Sequence, residues 1–285
     1  NSFGSCSRGC TTIDKLHWWG ASIGNAGCEE LSTQLVSASK PYDGKPARMV
    51  KNLLLGGNMV GDACMGALAR AAAKGALKDV GALGLSRNSI GDAGVKALAE
   101  ALAADVLHPG DLYISGNRFG STGALALASA LSESAAMRRL ERLSLADNRI
   151  GDEGAVTLAD CFATGGARQL ESLHLHNNNI GDEGVVAIAQ VLSRTAMASM
   201  TTTADTKKSE KGIFRTTFET IGTLERLFLC TEGAAEKPQE DLPPAELLPP
   251  LYCLRTLNVG SNRASTRAKG ALAGMAAQRS VECSV

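Results

Sequence analysis

Aromatic side chains are scarce: two tryptophans, three tyrosines and six phenylalanines in 285 residues. A large single-cored domain draws much of its buried area from aromatics. Here the 44% apolar content has to be buried by small aliphatic side chains in thin layers. A surplus of charge of one sign is lacking too. Twenty-nine basic and 29 acidic residues cancel, which removes the basic excess of a nucleic-acid binder and any long acidic or basic tail. No run of 18 apolar residues is present, so no transmembrane segment is expected. The expected partners are one or more proteins, and not nucleic acid.

Closely spaced cysteines are also lacking. Eight are spread over positions 6, 10, 28, 64, 161, 230, 253 and 283. Disulfide frameworks belong to short secreted chains, and the Cys6–Cys10 spacing is not that of a zinc site. Most of these residues are expected as reduced thiols. The expected location is intracellular, cytoplasmic or within an organelle. The chain begins at Asn1 and not at Met, so it is expected to be processed or truncated, with any targeting peptide already removed.

What is present is a repeat. Leu83-Gly-Leu85-Ser-Arg-Asn88-Ser-Ile90-Gly91-Asp92-Ala-Gly94 returns at Leu143–Gly154 and at Leu173–Gly184. Weaker copies surround Asn58, Asn117 and Asn262, and two degenerate ones put Ala21 and Glu232 at the Asn position. The intervals between markers are 37, 30, 29, 31, 30, 54 and 30 residues, so the unit is about 30 residues long and recurs about eight times.

Leu-x-Leu places two leucines on one face of a short strand and turns the residue between them outward. Asn follows where the strand ends and needs partners for its amide. Asp62, Asp92, Asp152 and Asp182 stand where a helix N-cap is wanted. The helix then carries Leu68, Leu98, Leu127, Leu158, Ile188 and Leu272 at one position, each followed by Ala. A further apolar residue comes three positions later, as Leu102, Leu131, Phe162 and Leu192. Apolar residues at i, i+1 and i+4 make one buried stripe, and the constant Ala lets neighbouring helices approach closely.

This motif resembles the leucine-rich repeat family, in particular the long ribonuclease-inhibitor-like class, from about Leu16 to Ala277. The resemblance implies an α/β solenoid bent into a horseshoe. A parallel β-sheet would line its concave face and α-helices its convex face, with the asparagines bonding backbone groups of neighbouring turns in a ladder. It specifies fold strongly and function weakly.

The whole chain is read as one domain, 1–285, with two departures. Residues 193–222 are an inserted loop rich in Thr, Ser and Lys, within which Ile213, Phe214 and Phe218 are docking candidates. Residues 232–250 are an irregular Pro-rich segment. At the ends, Trp18 is expected to cover the first layer, and 278–285 is too short to cap the last.

The outward strand positions are where contacts are sought. Trp19, Tyr113, Arg142, His174, His176, Arg226 and Phe228 are the candidates, because aromatic and Arg residues anchor interfaces. If the repeat at 226–230 stacks on the one before it, His176 and Cys230 become neighbours. No carboxylate stands at a fitting place to orient that pair, and neither a catalytic set nor a phosphate loop is found. No cofactor or metal is expected. The functional expectation is a non-catalytic protein–protein interaction scaffold, as an accessory or structural subunit of a larger assembly. The alternative is a regulator of a partner enzyme or GTPase, as in other ribonuclease-inhibitor-like proteins. That class's inhibitors imply an acidic, Cys-rich face and its GTPase activators an acidic tail, and a neutral chain has neither.

Overall fold

Each full Leu-x-Leu copy in the described residues forms a three-residue strand, and each Ala/Leu stretch a helix. The computed structural model describes residues 12–41, 49–198 and 251–285. The chain divides into two units, Asn1–Thr195 with Pro249–Val285, and Ala196–Leu248.

In chain order the elements are β1 (Thr12–Ile13), β2 (Leu16–His17), α1 (Asn25–Ala38), β3 (Met49–Val50), β4 (Asn52–Leu54), α2 (Asp62–Ala73), β5 (Ala82–Gly84) and α3 (Asp92–Ala103). Then come β6 (Asp111–Tyr113), α4 (Ser121–Glu133), β7 (Arg142–Ser144), α5 (Gly151–Ala163), β8 (Ser172–His174) and α6 (Asp182–Ala198). The last are β9 (Thr256–Asn258), α7 (Thr266–Gln278) and β10 (Glu282–Ser284). The main sheet has eight strands in the order β2-β4-β5-β6-β7-β8-β9-β10, each parallel to its neighbours. Leu53, Leu83, Leu112, Leu143, Leu173 and Leu257 align across it and are buried. This is an α/β leucine-rich-repeat solenoid.

Behind the sheet, Leu68, Leu98, Leu127, Leu158, Ile188 and Leu272 are all buried, as their period requires. The Ala that follows is buried at 99, 128, 159 and 189 but only half-buried at 69 and 273. The close-approach reason for Ala therefore holds in the middle of the stack and weakens at its ends.

Six buried asparagines form the expected ladder: Asn58, Asn88, Asn117, Asn148, Asn178 and Asn262. Each amide N–H₂ donates to a carbonyl of its own turn and to one of the preceding repeat. Asn88 donates to Leu85 O and Leu55 O, both at 2.9 Å. Each Oδ1 accepts a backbone N–H from the preceding repeat, as Asn88 does from Val60 at 3.0 Å.

The strand beside β8 is not the one expected. The repeat at 226–230, with Arg226, Phe228 and Cys230, lies outside the described residues, but the place proposed for it in the sheet is already filled. β8 pairs directly with β9, Ser172 opposite Thr256 and His174 opposite Asn258. Asn262 Oδ1 takes the N–H of Asn178 at 2.8 Å and of Ile180 at 3.1 Å across 84 and 82 residues of sequence. Asn262 thereby carries the ladder onward from Asn178. The eighth strand is instead β10, whose Cys283 stands opposite Leu257.

The aspartates also act differently from expectation. The helix N-caps are glycines: Gly61 for α2, Gly91 for α3 and Gly120 for α4, none with a side-chain cap. Each Asp reaches forward and caps the helix of the next repeat. Asp92 Oδ1 accepts from Gly120 N at 2.7 Å and Gly123 N at 2.8 Å. Asp152 Oδ1 accepts from Gly181 N and Gly184 N, both at 2.8 Å. A carboxylate beside a helix N-terminus is favoured by the exposed N–H groups and the helix dipole. It also explains the last Gly of Gly-Asp-x-Gly, because a Cβ at Gly184 would press on Asp152, Ala155 and Ile180.

Of the five described cysteines three are free thiols and two are paired. Cys28 in α1 and Cys64 in α2 are joined by a disulfide, while Cys161, Cys253 and Cys283 are free. Stacking brings 28 and 64 together on adjacent helices although 36 residues separate them in sequence.

Candidate functional site

The outward strand positions make a continuous face on the side of the sheet opposite the helices. Its middle carries one charged cluster. Arg142 Nη1 donates to Asp111 Oδ2 at 2.7 Å between adjacent strands. The Asp111 carboxylate raises the Arg142 pKa, and the hydrogen bond with Tyr113 adds to it. Burial, reinforced by Asp111, raises the Tyr113 pKa against the opposing effect of Arg142. Tyr113 is therefore a neutral hydroxyl beside the Arg142 guanidinium. Ser115 and Ser144 close the space behind with a 2.6 Å hydroxyl pair.

Next along the sheet come the two histidines. His174 Nε2 lies 3.0 Å from Ser172 Oγ, and the rings of His174 and His176 meet edge-on at 6.3 Å. Burial first, and then His176, lower the His174 pKa, so it is neutral at pH 7. His176 Nε2 is 4.0 Å from Asp147 Oδ2, and Asn177 Nδ2 donates to Asp147 Oδ1 at 2.8 Å. His176 Nδ1 is sealed from solvent and makes no hydrogen bond. Continuing the β8–β9 register, the residue opposite His176 is Gly260, just past β9, and Cys230 lies outside the described residues. Among the described residues no group of three or more His, Cys, Asp or Glu is placed to hold a metal.

Trp19 closes the other end of the face. It is 53% exposed, and its indole lies against Gly56 and Gly57 of the next repeat. A side chain at Gly56 would overlap that ring. Gly56→Ala is therefore expected to lift the Trp19 ring off, with a small loss of stability because the displaced ring is exposed. The check is tryptophan emission together with thermal unfolding. An unchanged emission maximum and melting temperature would show that the ring does not rest there.

The structure thus places Trp19, Tyr113, Arg142, His174 and His176 on one face. It brings Tyr113 with Arg142, and His174 with His176, into contact. Ile213, Phe214, Phe218, Arg226 and Phe228 lie outside the described residues. Asp147 and Asn177 were missed, because outward positions were sought only within the strand. Their position, one before the ladder Asn, takes positive φ in six repeats, at Gly57, Arg87, Gly116, Asp147, Asn177 and Ser261. A non-glycine residue held there projects onto the face, and the signal was its place in the repeat.

The leucine-rich repeat family model matches residues 82–99, 111–128, 137–159 and 167–189. These segments run through β5–α3, β6–α4, β7–α5 and β8–α6. No curated protein matches the chain. Among solved structures, an internalin from Listeria monocytogenes is similar over 96% of this chain and 79% of its own, at 15% identity and a TM-score of 0.31. Over these four segments the chain is similar to the leucine-rich repeat family.

Proposed function

We propose that this protein is a non-catalytic protein–protein interaction scaffold that docks partners on the outward face of its sheet, as a subunit of a larger assembly. One observation carries the reading. Aromatic, Arg and His side chains are held in fixed poses on an open face: Arg142 by Asp111, Tyr113 by Arg142, His174 by Ser172 and Trp19 on two glycines. Anchors already ordered before docking lose little conformational entropy on binding. An open face with no metal-binding cluster among the described residues and no oriented nucleophile suits binding better than chemistry.

The insertion at 193–222 is the competing docking element, and a deletion separates the two. The intact chain and one lacking 199–222 are used in parallel for affinity capture with mass spectrometry. The face reading expects the same partner in both. Loss of the partner on deletion would transfer docking to the insertion, and a free monomer with no specific partner in either would defeat the scaffold reading.

A further inference from the structure

The edge of the sheet at the C-terminal ends of its strands carries a row of arginines. Arg118, Arg149 and Arg263 each follow the ladder asparagine of their repeat, Arg87 precedes that of its own, and all four are exposed. The backbone sets the row. Arg118 N donates to Ile90 O at 2.9 Å, Arg149 N to Phe119 O at 3.0 Å and Arg263 N to Ile180 O at 2.8 Å, so each is pinned to the repeat before it. Arg87 has a φ of +55°. Its side chain leans over Gly116 toward the repeat of Arg118: a Cβ on that glycine would meet Arg87 Cγ at 3.1 Å.

These guanidinium groups lack a counter-charge. Among the described residues none of the four forms an ion pair, whereas at the opposite edge Lys51 pairs with Asp14, Arg142 with Asp111 and Arg255 with Glu171. The aspartates just past the row are bonded elsewhere. Asp92 and Asp152 cap the helix of the next repeat, and Asp182 accepts from Ser265. Asp147 is the one carboxylate among the residues flanking the six ladder asparagines, and Asn177 donates to it at 2.8 Å.

Unpaired guanidinium groups suit carboxylates, which they bind through two parallel N–H donors. We propose that this edge docks an acidic segment of a protein partner, laid across the strands from β5 to β9. Neighbouring strands are about 4.8 Å apart, so the row spans about 19 Å, the length of about six residues of extended chain. Alternate residues of such a segment point to one side, so Asp or Glu at every second position faces the arginines. A nucleic acid fits less well. The chain has no basic excess, and Asp147, with Glu153 and Glu183 in the first turns of α5 and α6, would repel an unbroken line of phosphates. The inference deepens the scaffold reading by giving the partner a charge, and it rests on that reading. Binding of a synthetic peptide needs no captured partner, so the row can fail while docking on the outward face stands, and the reverse.

The test titrates the full chain against a fluorescein-labelled peptide of alternating Glu and Gly, a matched Gln–Gly peptide and labelled oligothymidylate. Fluorescence polarisation is read at low and at physiological salt. The Glu peptide is expected to bind and the Gln peptide not to, with the Glu affinity falling several-fold as salt rises, because exposed charges are screened. Arg118→Gln/Arg149→Gln is expected to weaken it about fivefold or more through the loss of two ion pairs, and Arg87→Gln/Arg263→Gln to act in the same direction. Arg138→Gln/Arg139→Gln removes the same charge from exposed positions before β7 and is expected to leave the affinity unchanged. Thermal melts show that each variant is folded, and either pair from the row is enough to decide. Four results would overturn the inference: no binding of the Glu peptide at millimolar concentration, equal binding of the Gln peptide, an equal loss in the row variants and the Arg138/Arg139 variant, or oligothymidylate bound more tightly than the Glu peptide and weakened by the same row substitutions.

Discussion

Asn178→Asp is expected to destabilise the stack by about 3–5 kcal/mol, from the cost of leaving buried polar groups without partners. Asn178 has no solvent exposure. Its Nδ2 donates to Leu145 O at 2.9 Å, Leu175 O at 3.0 Å and His176 O at 3.3 Å. Its Oδ1 accepts from Asn148 N at 3.2 Å and Ile150 N at 3.5 Å. Asp has nearly the same shape and keeps the acceptor, so no cavity is made. As a carboxylate it donates nothing, and it turns a negative oxygen toward three carbonyls. Burying that charge adds to the lost bonds. Urea unfolding followed by circular dichroism measures the effect. A change below about 1 kcal/mol would mean that the N–H₂ group contributes no more than an ordinary single hydrogen bond, and the ladder would lose its place as the main polar tie between repeats.

Asp152→Ala is the second large effect, at about 2–4 kcal/mol. One carboxylate oxygen holds two N–H groups at the start of α6, those of Gly181 and Gly184. Hydrogen bonds to a charged group contribute about 1.5–3 kcal/mol each, reduced here because water can reach part of the site. The protein already contains a natural counterpart. At repeat four Ser121 replaces the Asp, and the following helix starts differently. α5 begins at Gly151, whose φ is +64°, after Ile150 in helical conformation. Elsewhere the corresponding Gly91 and Gly120 are extended N-caps, at φ −100° and −114°. Loss of Asp152 is therefore expected to loosen the first turn of α6. Hydrogen exchange at 181–185 should accelerate while exchange at 92–103 stays as it was. Unchanged exchange at both would show that the carboxylate does not hold that helix start.

How much of this was legible in the sequence follows from what sets each feature. The strands and helices were legible because Leu-x-Leu and the i, i+1, i+4 stripe are periodic, and burial is decided by period. The ladder was legible because a buried Asn has to be satisfied. Direct pairing of β8 with β9 was not. Counting markers gives order along the chain and not which strands pair in the sheet. Nor was the forward reach of Asp152 legible, since a local N-cap and a cap on the next helix need the same residue at the same place. Cys28 and Cys64 are remote in sequence and meet only through stacking. β10 has Cys283 where other repeats have Leu, so it carried no signal of its own. Of the docking face, the outward strand residues were found from alternation alone. Asp147 was hidden by its position just past the strand, where a left-handed turn returns it to the face.

The claim that the outward face docks a partner is tested most directly by the affinity of the captured partner for point variants of a folded chain. Tyr113→Ala, Arg142→Ala and His176→Ala would each be measured by calorimetry against Leu125→Ala, an exposed residue of α4. Thermal melts would confirm that each variant is folded. Truncating an interface anchor costs about 1–4 kcal/mol, so at least one face variant is expected to weaken binding by about tenfold or more, with Leu125→Ala unchanged. Equal affinity for all four would contradict docking on this face.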